Sequence, residues 1–282
     1  MTKIKVTPEE FKNFSKYILD ISGIALEVGK EYLLETRLNP LLNKYNCSSY
    51  GQLLQKAKTD FKKQLENEII DAISTNETYF FRDKSPFELL QYKIFPDLID
   101  KRSKKNPGIK PSIRLWSAAN STGQEIYSIA MILIEMGVTP DKYNIKLFGT
   151  DISDAAIAQA SYGLYNKFEV ARGLDQRRLN RFFDKQGDRY KIKDEVRVMA
   201  QFKKMNLMKP FIGIGKFDII LCRNVMIYFT GEDRKKIYQN IAKVLEPDGY
   251  LIIGSTESLV NDTDLFESKK YLNSVFYQFK GQ

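Results

Sequence analysis

Four stretches of this 282-residue chain carry side chains that could do chemistry. Ser117-Ala-Ala-Asn-Ser-Thr-Gly123 is a run of small residues ending in glycine, which lets a ligand approach the backbone where a helix begins. Asp151 follows the apolar run Ile145–Gly149, and a carboxylate there can accept hydrogen bonds from both hydroxyls of a ribose. Arg223 and Asn224 follow another strand-like stretch, Phe217–Cys222, as Ser117 follows Ile113–Trp116, and lead into Val-Met-Ile-Tyr-Phe229, a set suited to a pocket floor or simply to capping the next helix. Upstream, Asn76-Glu-Thr-Tyr-Phe-Phe-Arg82 places Asn, Thr and Arg around three aromatics, at the join between a helical region and a sheet-forming one.

Absent residue types narrow the chemistry further. The chain has no histidine, which excludes Ser-His-Asp and Cys-His nucleophiles, imidazole bases and His-containing zinc sites. Cys47 and Cys222 are far apart and lack C-x-x-C spacing, so neither a metal site nor a disulfide framework is expected, and a reducing, cytoplasmic setting fits best. No G-x-G-x-x-G follows the first apolar run, Asp151 stands 35 residues past Trp116, and there is no G-x-x-x-x-G-K-[ST]. A dinucleotide or a triphosphate is thereby disfavoured. A nucleoside held through ribose and base, without a pyrophosphate, remains, and S-adenosylmethionine is the obvious candidate.

The elements that must position these residues change period along the chain. Residues 1–85 read as a helical domain. Thr7-Pro8-Glu9-Glu10 supplies an N-cap, a proline in the first turn and a glutamate at N3, and Phe11, Phe14, Ile18 and Ile21 follow at helical spacing until Gly23. A second helix over 30–45 is expected to kink or split at Pro40, and two more are expected at about 50–58 and 61–74. Lys30, Arg37 and Lys44 recur at seven-residue steps, either a solvated face or a stripe that docks an acidic helix.

From residue 86 to 282 a helix at about 86–102 and a loop at 103–111 precede alternating strands and helices, which argue a parallel, doubly wound α/β sheet. Residues 172–216 hold 13 Lys/Arg against 5 Asp/Glu, nearly the whole net charge of +9, and 189–192 and 196–202 have β-compatible alternation. That stretch reads as a small basic, strand-rich insertion, either a solvated surface or a face for an acidic partner. The longest apolar run, 126–136, is shorter than the roughly 20 residues of a membrane span, residues 1–6 open no targeting peptide, and no membrane insertion is expected.

Taken together, NETYFFR (76–82), LWSAANSTGQEIYSI (115–129), TDI (150–152) with YGLY (162–165), Asn206-Leu207, FDIILCRNVMIYF (217–229) and PDGYLIIGSTES (247–258) resemble the CheR-type chemotaxis receptor glutamate methyltransferases, collinearly along the chain. The resemblance implies an all-helical N-terminal domain, a class I, Rossmann-like methyltransferase domain and a small antiparallel β insertion. It implies methyl transfer from S-adenosylmethionine to glutamate γ-carboxylates on the cytoplasmic helices of methyl-accepting chemotaxis receptors, leaving S-adenosylhomocysteine. By the same likeness Asn76, Thr78 and Arg82 border the methionine end of the cofactor, Glu125 and Asp151 its charged and ribose ends, Asn206 and Leu207 the adenine, and Arg223 with Asn224 the floor. Arg82 and Tyr228 fall nearest the transferring methyl, and Lys30, Arg37 and Lys44 become a candidate receptor-docking stripe.

Three departures from the family pattern stand out. Gly123-Gln-Glu-Ile126 replaces G-E-E-P, with Glu125 retained, and Thr256 occupies a position where relatives often carry histidine. The insertion has only Gly187-Asp188 where tether-gripping relatives carry a G-x-G loop, so a tether-independent type is expected; a monomer is the default expectation. The missing histidine suits the implied reaction, because a glutamate of pKa about 4.3 is already ionised at neutral pH and needs no general base. A nucleic-acid methyltransferase, motivated by the basic charge, is the weaker alternative, since Arg223-Asn-Val-Met stands where amino-methylating relatives have an N-P-P-Y type of loop. No nucleic-acid partner is therefore expected. An inactive signalling scaffold is the other alternative, disfavoured by the retained polar residues.

Overall fold

The computed structural model describes residues 4–280. The first residues of the stretch read as opening no targeting peptide, and the outer ends of the two expected domains, lie outside the described residues.

Four helices make the N-terminal bundle: α1 (Pro8–Ser22), α2 (Glu31–Lys44), α3 (Tyr50–Thr59) and α4 (Gln64–Ile73). The Thr7 hydroxyl accepts from the Glu10 N–H while the Glu10 carboxylate accepts from the Thr7 N–H, and Gly23, at φ +79°, ends α1 in the left-handed conformation. Phe14, Ile18, Leu34, Leu38, Leu42, Tyr50, Leu53 and Ile69 fill the centre of the bundle. α2 runs through Pro40 as one helix, where the sequence suggests a kink or a break.

A continuous rod comes next, made of α5 (Ser85–Leu89), a π-helical turn (Leu90–Ile94) and α6 (Phe95–Lys105). Pro96 cannot donate to the Tyr92 carbonyl and its ring crowds it, so the preceding turn widens and the Phe95 N–H bonds Leu90 O instead. The alternating part then runs β1 (Ser112–Ala118), α7 (Gln124–Glu135), β2 (Asn144–Asp151), α8 (Asp154–Tyr162), β3 (Leu164–Asn166), α9 (Lys167–Ala171), α10 (Gln176–Phe182), β4 (Phe183–Gln186), β5 (Arg189–Ile192) and α11 (Asp194–Arg197). It finishes with β6 (Ala200–Lys204), β7 (Phe217–Cys222), a 3-10 turn (Met226–Tyr228), α12 (Gly231–Val244), β8 (Leu245–Ile253), β9 (Phe266–Tyr271) and β10 (Ser274–Phe279).

The main sheet has the order β6-β2-β1-β7-β8-β10-β9. It is mixed rather than wholly parallel: β10 runs antiparallel to both β8 and β9, and β9 is not legible in the sequence because its exposed Glu-Ser-Lys-Lys centre gives no apolar pattern. The central strands are covered on both faces. Ile113, Leu115, Ile219 and Leu221 enter one core, and Trp116, Ala118, Ile220 and Cys222 the other, which is why Leu115-Trp116 and Ile219–Cys222 are apolar at successive positions.

The basic stretch divides between two sheets. β3, β5 and β4 form the small antiparallel sheet, whereas β6 pairs with the open edge of β2 in the main sheet. The strand read at 196–202 is thus corrected: 194–197 is a helical turn, with Asp194 and Glu195 favouring its N-terminus, and the strand starts at Ala200.

At the amino ends of the strands, Arg102 of α6 donates to both oxygens of Asp248 (2.8 and 2.9 Å) and to Asp218 (2.6 Å), and Asp218 also accepts from the Arg114 N–H. The Arg102 guanidinium holds the Asp248 carboxyl below the usual carboxylate range. Arg102→Ala should lower the unfolding free energy by about 2 kcal/mol at neutral pH, less than a fully buried broken pair because Asp248 is 39% exposed. A carboxyl whose folded pKa is lowered contributes stability that is lost as pH falls through that value, so the deficit should shrink in acid. Urea melts at neutral and acid pH check this, and a deficit independent of pH would show that the charges of the pair contribute nothing.

Candidate active site

Strand order reverses between β1 and β7, and the tips of β1, β2 and β7 open into a cleft there. The cleft encloses about 1280 Å³ out to its open mouth, ample for a nucleoside. Its other wall comes from the helical bundle: Ser22, Ile24, Ala25, Leu26, Lys30 and Leu33, together with residues 73–78.

Asp151 ends β2 and is 6% exposed. Its carboxylate accepts from the N–H groups of Ser121 (2.8 Å) and Ser153 (3.0 Å). Burial pushes this carboxyl up despite those donors and the Ile152 N–H. The loop after β1 bends through left-handed residues at Ala119, Ser121 and Gly123. At Gly123 a Cβ would stand 3.0 Å from that of Ala160, so glycine is needed both for its φ of +95° and for space.

Glu125, in the first turn of α7, accepts from the Ser117 hydroxyl at 2.8 Å and pairs with Arg223 at 2.5 Å. Arg223 also donates to Asp83 and to the carbonyl of Arg82, each at 2.9 Å, and its side chain is 2% exposed. The floor is therefore a three-membered charge cluster joining segments 83, 125 and 223. Arg82 itself donates to the Glu77 carbonyl at 2.9 Å and faces the Tyr79 ring. Phe81, Asp83 and Lys84 around it all have positive φ, a cluster of strained non-glycine residues of the kind found at functional sites.

The expected site residues Asn76, Thr78, Arg82, Glu125, Asp151, Asn206, Leu207, Arg223, Asn224 and Tyr228 all line this one cleft. Asn206 has a structural task as well, since its amide donates to Ile21 O and its carbonyl accepts from the Met208 N–H. The Tyr228 carbonyl accepts from the Ala25 N–H, tying the 3-10 turn to the bundle.

The basic stripe is different. Lys30 precedes α2, pairs with Glu27 and lines the cleft; Lys44 pairs with Glu68. Arg37 is turned inward, donating to the carbonyls of Ile73 and Ser74 and to the Thr75 hydroxyl, because the end of α4 leaves carbonyls without helical partners. The three cations do not form a row of unengaged charges. Reasoning from sequence passes over Asp83 and the 22–26 wall, and does not single out Asn120 and Ser121 individually. Asn120 and Ser121 belong to the small-residue loop already singled out, whereas the wall carries no local signal.

The cleft suits an adenosyl group. The Asn120 side-chain oxygen Oδ1 and the Arg223 Nε are buried along it with no partner among the described residues. The carboxylate of Asp151 shares the cleft with apolar Leu26, Ile152, Met205 and Leu207, whose surfaces could pack against a planar ring.

Comparison with known proteins agrees on both halves of the chain. Residues 9–74 match the CheR methyltransferase all-alpha domain, and residues 76–274 the CheR methyltransferase SAM binding domain. The chain is 38% identical over 286 residues to a chemotaxis protein methyltransferase of Vibrio parahaemolyticus, with 99% of this chain and 100% of that one covered. It is 37% identical to chemotaxis protein methyltransferase 1 of Vibrio cholerae, with the same coverage. With chemotaxis protein methyltransferase Cher2 of Pseudomonas putida it shares 36% identity, covering 96% of this chain and 98% of that one. Matched in both domains and along nearly all of its length, the chain belongs to the CheR methyltransferase family and is an S-adenosylmethionine-dependent methyltransferase.

Proposed function

We propose that the protein methylates glutamate γ-carboxylates on the cytoplasmic helices of chemotaxis receptors, forming methyl esters. The observation that carries this reading is that Arg82 and Tyr228 line the same cleft as Asp151 and Glu125 in a chain with no imidazole. An acceptor that is already anionic needs no base, and chemotaxis is the process named for the relatives.

S-adenosylmethionine, when bound, supplies a methyl group on a positively charged sulfonium. Asp151 would hold the ribose, Asn206 and Leu207 the adenine, Glu125 the ammonium end, and Asn76 and Thr78 the rest of the methionine portion, above a floor of Arg223 and Asn224. Arg82 and Tyr228 would orient the acceptor carboxylate. Their task is restrained, since an Arg pair that bound the ground state too strongly would slow transfer. The apolar Leu26, Ile152, Met205 and Leu207 of the cleft would exclude water from the acceptor carboxylate, which favours a reaction in which opposite charges are lost.

Two units support this work: a helical domain over 1–85 and a methyltransferase domain over 86–282 that carries the basic stretch 172–216. The hairpin between β4 and β5 turns at Gly187-Asp188, too short to supply a G-x-G grip, which supports receptor docking without a tether. Lys30 at the cleft and the cations of the basic stretch would then speed docking to acidic receptor helices, an effect that weakens with salt. The protein would work as a monomer in the cytoplasm, a reducing setting that fits two buried free cysteines.

The test is transfer of labelled methyl to receptor cytoplasmic fragments or to RNA, with S-adenosylhomocysteine binding measured in parallel. Label on the fragment that is released by mild alkali is the expected result. Alkali-stable label, or label on RNA, would overturn the glutamate reading, and binding without transfer would indicate a scaffold.

A further inference from the structure

The turn that carries Asn224 and Tyr228 is held from behind by a residue that no part of the proposed chemistry uses. Glu257 presents its carboxylate to four backbone N–H groups. One oxygen accepts from Gly254 (2.7 Å) and Asn224 (2.8 Å), the other from Val225 (3.2 Å) and Met226 (3.0 Å). Three successive N–H groups aimed at one point form an anion-binding nest, and here a side chain of the same protein fills it. A carboxylate has about four acceptor positions, so this one is fully engaged.

The arrangement needs unusual backbone on both sides. Asn224 is left-handed at φ +56°, which turns its N–H toward the carboxylate. A Cβ at Gly254 would lie 2.6 Å from the Glu257 carboxylate and 2.9 Å from the Asn224 amide, so only glycine permits the approach. Cys222 and Ile253 are register partners in β7 and β8, and the clamp extends that cross-strand link beyond the last ladder bond into the loops.

Glu257 lies outside the cleft. It lines a separate hollow with Met226, Ile227 and Tyr238, on the far side of the turn. From the clamped residues 224–226 the 3-10 turn leads directly to Tyr228, whose carbonyl is pinned on the other side by the Ala25 N–H. We infer that Glu257 is a positioning residue for methyl transfer: its carboxylate fills the backbone nest after β7 and so sets where Asn224 and Tyr228 stand in the cleft. This rests on the methyltransferase reading given above. Displacing a positioned group by about 1 Å can lower turnover up to a hundredfold without any loss of ligand contact.

Glu257→Gln in the full-length protein tests it. The amide keeps the volume and one acceptor but turns an NH2 toward N–H donors, so the turn should open. Hydrogen exchange at 224–226 should quicken and kcat for receptor fragments should fall about tenfold or more. The KM for receptor should stay within about threefold while kcat falls, a split that general destabilisation would not produce. Glu257→Gln added to Tyr228→Phe should cost less than the product of the two separate losses, because both act in part through the Tyr228 hydroxyl. Unchanged exchange, unchanged kcat, or multiplying effects in the double variant would each overturn the proposal. The exchange result is read without substrate: unchanged exchange removes this proposal alone. A wild-type protein that takes up no S-adenosylhomocysteine removes the methyltransferase reading and this proposal with it.

Discussion

Arg223→Ala should lower the unfolding free energy by about 3–5 kcal/mol, the cost of removing the cation from a buried charge cluster. Its side chain is 2% exposed and it faces two carboxylates, Glu125 at 13% exposure and Asp83 at 26%. Without the guanidinium both are left near each other in the cleft floor. Glu125 keeps the Ser117 hydroxyl as a donor, and the Arg82 carbonyl loses a donor as well. Arg223→Lys should recover part of the loss, since a single ammonium cannot span acceptors that the planar fork reaches from two nitrogens. Urea unfolding of the three proteins measures this. A loss below about 1 kcal/mol for Arg223→Ala would mean that water reaches the cluster and screens it as it does surface pairs.

Arg82→Ala should lower kcat about a hundredfold while changing the receptor KM little, as expected for a group that orients the acceptor. The substitution leaves the local chain in place. Arg223 binds the backbone carbonyl of residue 82, and the Phe81 N–H donates to the Ser128 hydroxyl, so neither anchor depends on the Arg82 side chain. The change removes the guanidinium, its bond to the Glu77 carbonyl and its contact with the Tyr79 ring. Steady-state methyl transfer to receptor fragments reads the outcome. A raised KM with kcat intact would assign Arg82 to docking rather than orientation.

These two residues show how far linear reading reaches. Both stand out in the sequence, Arg82 by the aromatics that precede it and Arg223 by its place after a buried strand. Their partners do not. The partners of Arg223 lie 98 and 140 positions away, and nothing in the periodicity around Asp83 or Glu125 points to residue 223. Arg37 makes the same point in reverse. Its seven-residue spacing from Lys30 and Lys44 implies a shared outward face, but the unpaired carbonyls at the end of α4 draw its guanidinium inward.

Short-range patterning specifies the elements well where burial is uniform. The capping box of α1, the two-faced apolar strands β1 and β7, and the polar residues at their tips are all readable, because each arises from hydrogen-bonding and hydrophobic rules acting over a few residues. The empty histidine column likewise limits the chemistry before any folding is considered. Edge strands are different: β9 is mostly exposed and carries no pattern of its own, and the alternation around β6 does not show where the strand starts, which pairing with the open backbone of β2 decides. The wall of residues 22–26, the mixed sheet and the Glu257 clamp also exist only once distant segments have packed. Contacts of that kind are chosen by which donors, acceptors and surfaces the folded chain leaves unmatched, a property that belongs to the assembled structure and to no window of sequence.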